Sequence, residues 1–168
     1  MSPPDALVAA LMEIERHVAG VGWDQPARLF ALVPTTELIA AEPQLADHLT
    51  GGAEPPAGQL SAIEQDGFAQ GAELGEALAR ITWPETVAGV ALSLERLFLA
   101  GDAEVAPGPG AVEQVREHPD RHEIRVVVGV LRGGEGYGVA RIRSHPEDLL
   151  SGTDLVPGLT AALAHTLD

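Results

Sequence analysis

Three segments carry apolar residues at every third or fourth position, which is the spacing of one face of an amphipathic helix. They lie near the N-terminus, in the middle and at the C-terminus of the chain. Their apolar stripes are Leu7, Leu11, Ile14 and Val18; Leu74, Leu78 and Ile81; and Leu159, Leu163 and Leu167. Each stripe predicts a helix, and Glu13, Glu15 and Arg16 fall off the first one. Two further helices are predicted, one after Pro34 and a brief one at 111–118.

Apolar runs between these helices predict three strands. The strands cover 27–33, 60–64 and 87–99. The stretch "HEIRVVVGVLRGGEGYGVARIRSH" predicts two more strands, joined by a glycine-rich turn at 133–136, and His145 is interpreted as a turn residue. Because the hairpin is antiparallel, we predict an α+β fold: a mostly antiparallel sheet of four or five strands with helices packed on one face.

The length of 168 residues fits one domain, and we expect residues 1–168 to share a single core. Glycine and proline are concentrated in two segments, which predicts flexible loops near 50–58 and 100–110. We find no apolar run of about 18 residues that could span a bilayer, and no secretory signal before the first helix. The sequence therefore predicts a cytoplasmic protein without a membrane partner.

Acidic side chains outnumber basic ones, with 25 Asp and Glu against 10 Arg and a net charge of -15. Such a surface repels phosphate groups, so nucleic acid is not expected as a partner. The chain has no cysteine and no lysine. Their absence excludes disulfides, thiolate nucleophiles, Schiff-base lysines and P-loop lysines. The lack of lysine and asparagine is also typical of a high-GC genome.

The predicted hairpin gathers cations on one side of its strands. If 133–136 form a four-residue turn, Arg132 lies opposite Tyr137, and Arg141 and Arg143 follow on the same face. The other face is apolar and is expected to carry the helices. Two interpretations of the arginine face stay open. It is an ordinary solvent-exposed surface, or Arg132, Tyr137, Arg141 and Arg143 form a shallow site for a small anionic ligand such as a carboxylate.

A second group of polar residues, His118, Asp120 and His122, precedes the hairpin. Imidazole and carboxylate groups are zinc ligands. However, Pro119 interrupts the helix that would align the two histidines, so these residues are weak metal candidates. We assign no catalytic residue and no cofactor, because the chain has neither a cofactor fingerprint nor a recognisable activated nucleophile.

These absences favour a non-enzymatic binding or adaptor domain, which would use the exposed arginine face to hold a protein partner or a small anionic ligand. The alternative is a small-molecule enzyme of unrecognised type, with a pocket near Trp23, Tyr137, Arg141 and His145. A homodimer formed through an edge strand stays open under either hypothesis.

Three stretches of the chain, "GWDQPARLFALVPT", "ITWPETVAGVALSLERL" and "VVVGVLRGGEGYGVARIRSH", resemble a family of uncharacterised proteins from high-GC actinobacteria. The members are of similar length, and the likeness covers most of the chain. The resemblance implies a bacterial cytoplasmic protein made of one domain. It brings no known activity, ligand or catalytic residue with it.

Overall fold

The protein is described by a computed structural model. The described residues are 3–23, 25–47, 51, 58–65, 74–99, 121–133, 136–143, 145–152 and 157–167. The helix predicted at 111–118 lies outside them. So do the loops predicted near 50–58 and 100–110, apart from Gly51 and Gly58.

The described residues form four helices, six strands and a 3-10 turn at Pro43–Leu45. The helices are α1 (Pro3–Val21), α2 (Thr35–Ala41), α3 (Leu74–Ala79) and α4 (Pro157–Thr166). The strands are β1 (Arg28–Pro34), β2 (Leu60–Glu64), β3 (Gly89–Leu99), β4 (Arg121–Leu131), β5 (Gly136–Ile142) and β6 (His145–Gly152). Among the described helices, none is long and apolar enough to cross a membrane.

The six strands form one sheet in the order β2-β1-β3-β4-β5-β6, and every neighbouring pair is antiparallel. The predicted α+β class and antiparallel pairing are confirmed. The prediction of four or five strands is wrong, because the segment beginning at His145 is the edge strand β6 and not a turn. An edge strand needs no continuous apolar run and tolerates a proline such as Pro146, so its sequence gives only a weak strand signal.

Helices cover both faces of the sheet, which corrects the prediction that they pack on one face. The face under α1, called the α1 face, has a core of Leu7, Leu11, Ile14 and Val18 with Phe30, Leu32, Ala91, Val127 and Val139. The opposite face, called the α4 face, packs Leu78, Leu159 and Leu163 against Leu29, Val90, Leu92, Val126, Val128 and Val130. Central strands that are buried on both faces are apolar at nearly every position, which explains the continuous runs in β1, β3 and β4.

The α4 face is closed at one end by contacts from a tryptophan and an arginine. The indole N–H of Trp83 donates to Thr166 Oγ1 at 3.0 Å. Arg132 is exposed at the end of β4, yet its guanidinium donates to three backbone carbonyls. The acceptors are the oxygens of Pro84 (3.1 Å), Val87 (3.1 and 3.2 Å) and Leu167 (2.5 Å). These bonds join the turn before β3 to the end of α4.

We predict that Gly129→Ala destabilises the protein, because buried leucine side chains of α1 pack directly on the backbone there. A Cβ atom at Gly129 would lie 2.8 Å from Leu11 Cδ2 and 3.1 Å from Leu7 Cδ1. Overpacking of this kind costs about 1–3 kcal/mol of unfolding free energy. Urea denaturation measures it. Gly20→Ala is the matched control, since a Cβ there meets nothing within 4 Å. Equal stability of the two variants would contradict the packing of α1 on β4.

Candidate functional site

The observed register of the hairpin separates the predicted arginine face. Gly129 pairs with Tyr137, and Arg125 pairs with Arg141, whereas the prediction placed Arg132 opposite Tyr137. The shift of three residues is odd, so it exchanges the faces of one strand relative to the other. Tyr137, Arg141 and Arg143 therefore share the α1 face, and Arg132 points to the α4 face. Matching apolar residues could not select the register, because both faces are buried and both carry apolar residues.

Arg141 forms a two-point ion pair with Glu15 of α1. Its Nε donates to Glu15 Oε1 at 2.6 Å and its NH2 donates to Oε2 at 3.1 Å. Glu15 is only 2% exposed, although the sequence had placed it off the apolar stripe of α1. The hydrogen bond to this carboxylate raises the pKa of Arg141. The contact fixes α1 across β5 and is a structural use of the arginine predicted to bind a ligand.

Arg125 is a second cation under α1, and it was not among the residues predicted to form a site. It is 1% exposed, and its NH2 donates to Gly22 O at 2.7 Å. Its NH1 lies 4.0 Å from Glu15 Oε1, and its Nε has no hydrogen-bond partner among the described residues. Burial lowers the pKa of Arg125, while the nearby carboxylates of Glu95 and Glu15 act in the opposite direction. Its charge inside β4 was the signal that a buried partner was needed.

Trp23 lies where α1 ends, beside two guanidinium groups. The Cζ atom of Arg125 is 4.4 Å from the centroid of the Trp23 ring, and that of Arg143 is 5.5 Å from it. Arg143 NH1 also donates to Glu123 Oε2 at 2.8 Å. Cation–π contacts of this kind attract the guanidiniums to the ring face. The cluster ties the end of α1 to β4 and β5.

The other predicted site residues lie apart from one another. Tyr137 packs against the apolar core of the α1 face. His145 starts β6, where its backbone pairs with Ile142. Of the weak metal candidates, His118 and Asp120 lie outside the described residues, and the backbone of His122 pairs with Phe98. Among the described residues, no group of three or more His, Cys, Asp or Glu could hold a metal ion.

A pocket of about 390 Å³ opens between α1 and β2, and we call it the α1–β2 groove. It is lined by Glu13, Ile14, His17, Phe30, Gln59, Ser61, Ala62 and Glu64. A smaller pocket of about 200 Å³ continues it and shares Glu13 and Gln59. None of the residues predicted to form a site lines either pocket. The groove joins residues from distant parts of the chain, so no local sequence motif predicts it.

The two carboxylates of the groove differ in their contacts. Glu64 accepts from Arg28 Nε at 2.9 Å and from Arg28 NH2 at 2.6 Å, which lowers the pKa of Glu64 and raises the pKa of Arg28. Arg28 NH2 also lies 3.5 Å from His17 Nε2. Glu13 has no hydrogen bond or ion pair within the described part of the chain. The charge of Glu64 is therefore balanced by Arg28, whereas the carboxylate of Glu13 is available to a ligand.

The outer edge of β2 carries backbone groups that β1 does not use. Gln65 N donates to Leu29 O and Thr35 N donates to Gln59 O, both at 2.8 Å. Hydrogen-bonded pairs alternate along an antiparallel ladder, so the odd-numbered residues of β2 bond to β1. The N–H and C=O groups of Leu60, Ala62 and Glu64 consequently point away from β1. They have no hydrogen-bond partner among the described residues.

Comparison with known proteins identifies the family of the chain. A family model described as PPA1309-like protein matches residues 7–168. The chain belongs to the PPA1309-like protein family. The predicted resemblance to an uncharacterised family is confirmed. The match to the PPA1309-like family model includes residues 7–21 of α1 and the whole of β2, and so the residues that line both walls of the groove. No curated protein and no solved structure matches the chain.

We predict that Glu15→Gln lowers the unfolding free energy far more than Glu123→Gln. Glu15 accepts two hydrogen bonds from Arg141 and lies beside Arg125, so its replacement weakens both contacts under α1, and breaking a buried ion pair costs about 3 kcal/mol or more. The pair between Glu123 and Arg143 is more exposed, at 36% and 41% of their side chains, so its loss costs about 1 kcal/mol at most. Chemical denaturation of both variants gives the comparison, and similar losses would argue against the buried pair.

We also predict that the pKa of Glu64 lies below its ordinary value and returns toward it in Arg28→Gln. The stabilisation from this pair is then present above the ordinary carboxyl pKa of glutamate, and it is lost as pH falls through the lowered pKa of Glu64 in the folded protein. Side-chain NMR titration measures the pKa in both proteins. An unchanged titration curve in Arg28→Gln would show that Arg28 does not hold this carboxylate.

Proposed function

We propose that this chain is a non-catalytic binding domain that holds an extended segment of a protein partner along β2. The observation that carries the proposal is the arrangement of Leu60, Ala62 and Glu64. Their N–H and C=O groups face outward, and the side chains of Ala62 and Glu64 line the groove on the α1 face, while Leu60 lines the smaller pocket beside it. An added strand would therefore gain main-chain hydrogen bonds and side-chain contacts from the same residues.

This arrangement is the basis of strand addition, in which a peptide extends a sheet at its edge. Main-chain hydrogen bonds provide affinity, and pockets for alternate side chains provide specificity. Native edge strands are commonly protected by lysine, proline or a bulge. β2 has no lysine, proline or bulge in Leu60–Glu64, its charged residue Glu64 is already paired with Arg28, and Ile63 remains 38% exposed. The features of β2 thus support its use as a binding edge.

The contacts of the arginines favour a protein segment over a small anionic ligand. Arg28, Arg141 and Arg143 each bind a carboxylate of the chain, and Arg132 binds backbone carbonyls. A small anion would have to displace these partners or compete with them. The α1–β2 groove requires no such exchange, because its open backbone groups and the carboxylate of Glu13 are unpaired in the described structure.

The proposal keeps three expectations from the sequence. The net charge of -15 disfavours nucleic acid as the partner. We propose a cytoplasmic location, which is in keeping with the lack of cysteine. An origin in high-GC actinobacteria agrees with its arginine-only set of cations.

We predict that Ala62→Pro abolishes partner capture while the fold is retained. Proline at this position removes an N–H that points away from β1, so the ladder within the sheet keeps its bonds. Ala62→Thr retains the N–H and is the matched control. Tagged wild type and both variants are used to capture proteins from the producing cells under mild conditions. Circular dichroism and thermal unfolding check that both variants are folded.

Support requires one protein that the wild type and Ala62→Thr capture and that Ala62→Pro does not. Hydrogen exchange of the purified complex should then show slowed amides at Leu60, Ala62 and Glu64. Capture that is equal for all three proteins would place the partner elsewhere. Recovery of the chain alone would also count against the proposal.

A further inference from the structure

The α1–β2 groove combines apolar walls with acidic groups. Ile14, Phe30 and Ala62 provide the apolar surface, and Glu13 and Glu64 provide the carboxylates. Among the described residues, no arginine lines the groove, although Arg28 pairs with Glu64 beside it. A ligand group that matches such a groove is apolar along its length and cationic at its tip, as the side chains of arginine and lysine are.

We infer that the partner segment held by β2 is basic and places an arginine or lysine side chain in the α1–β2 groove at Glu13. The inference rests on the proposed function of β2 and names the chemistry of its partner. Side chains directly across a strand pair share a face of the sheet. A partner residue opposite Ala62 would therefore project onto the α1 face, beside the groove wall formed by Glu13.

Glu13 provides the specific contact for the cation. It is exposed on α1, and it has no ion-pair or hydrogen-bond partner among the described residues. Glu64 already has its charge balanced by Arg28, at 2.6 Å. An incoming cation therefore gains a new ion pair at Glu13 without breaking an existing one. The pocket volume of about 390 Å³ has room for one long side chain.

The charge of the whole chain acts in the same direction. A net charge of -15 attracts basic segments over distance and repels acidic ones, which raises the rate of encounter with a basic partner. This long-range effect does not distinguish one surface from another. The test must therefore separate a specific contact at Glu13 from general attraction.

The experiment selects random ten-residue peptides, displayed on phage, for binding to the full chain. Three proteins serve as targets: wild type, Glu13→Arg and the matched control Glu37→Arg. Glu37 is exposed on α2, outside the groove lining, and its replacement changes the net charge by the same amount. Affinities of the selected peptides are measured by fluorescence anisotropy for all three proteins and for Ala62→Pro.

We expect peptides selected on the wild type to share an arginine or lysine at one position. Their affinity should fall about tenfold in Glu13→Arg, as expected when a partly exposed ion pair becomes a repulsion, and should change little in Glu37→Arg. Replacing the shared cation with glutamate should restore binding to Glu13→Arg. Ala62→Pro should bind none of these peptides.

Other outcomes overturn the inference in distinguishable ways. Peptides that need the N–H of Ala62 but share no cation would leave strand addition standing and reject the basic partner. Equal losses in Glu13→Arg and Glu37→Arg would reduce the preference to general charge. If no peptide is selected, and sedimentation shows a dimer that Ala62→Pro dissociates, the edge holds a second copy and both proposals fail.

Discussion

The position of α1 depends on the ion pair between Glu15 and Arg141. The carboxylate is buried and accepts two hydrogen bonds, at 2.6 and 3.1 Å, from a guanidinium on β5. This pair holds one flank of α1 against β4 and β5. The opposite flank, with Glu13, Ile14 and His17, then forms a wall of the α1–β2 groove. The geometry of the groove therefore follows from a contact on the other side of the helix.

Buried charges are stable here because each has a partner of opposite sign or a polar acceptor. Arg125 loses its hydration almost completely, and Glu15, Glu95 and the carbonyl of Gly22 compensate for that loss. Removing one member would take away part of the compensation of a buried charge, which costs more than replacing the whole cluster by apolar residues. An apolar stripe alone permits small rotations of a helix. The directional bonds of Glu15 select one rotation of α1 about its axis.

Much of the fold could be predicted because helix and strand periodicities are local properties of a sequence. The stripes of α1, α3 and α4, and the apolar runs of β1 and β3, are examples. The register between strands and the packing of helices on the sheet depend on contacts between distant parts of the chain. Since β4 is apolar on both faces, its pattern could not show which residue faces Tyr137, and the sheet was wrongly expected to be covered on one side. The groove was not predicted for a similar reason, because Glu13 and Glu64 come to line the same groove only when the chain folds.

Trp23 offers a consequence for how events at the groove could be observed. It follows the last turn of α1 and lies 4.4 Å from a buried guanidinium, whereas Trp83, the second of the two tryptophans, donates to Thr166 on the other side of the sheet. A displacement of α1 changes the electric field at the indole of Trp23 and leaves the surroundings of Trp83 unchanged. In the tryptophan fluorescence of the unlabelled protein, Trp23 thus reports movement of the helix and Trp83 serves as an internal reference.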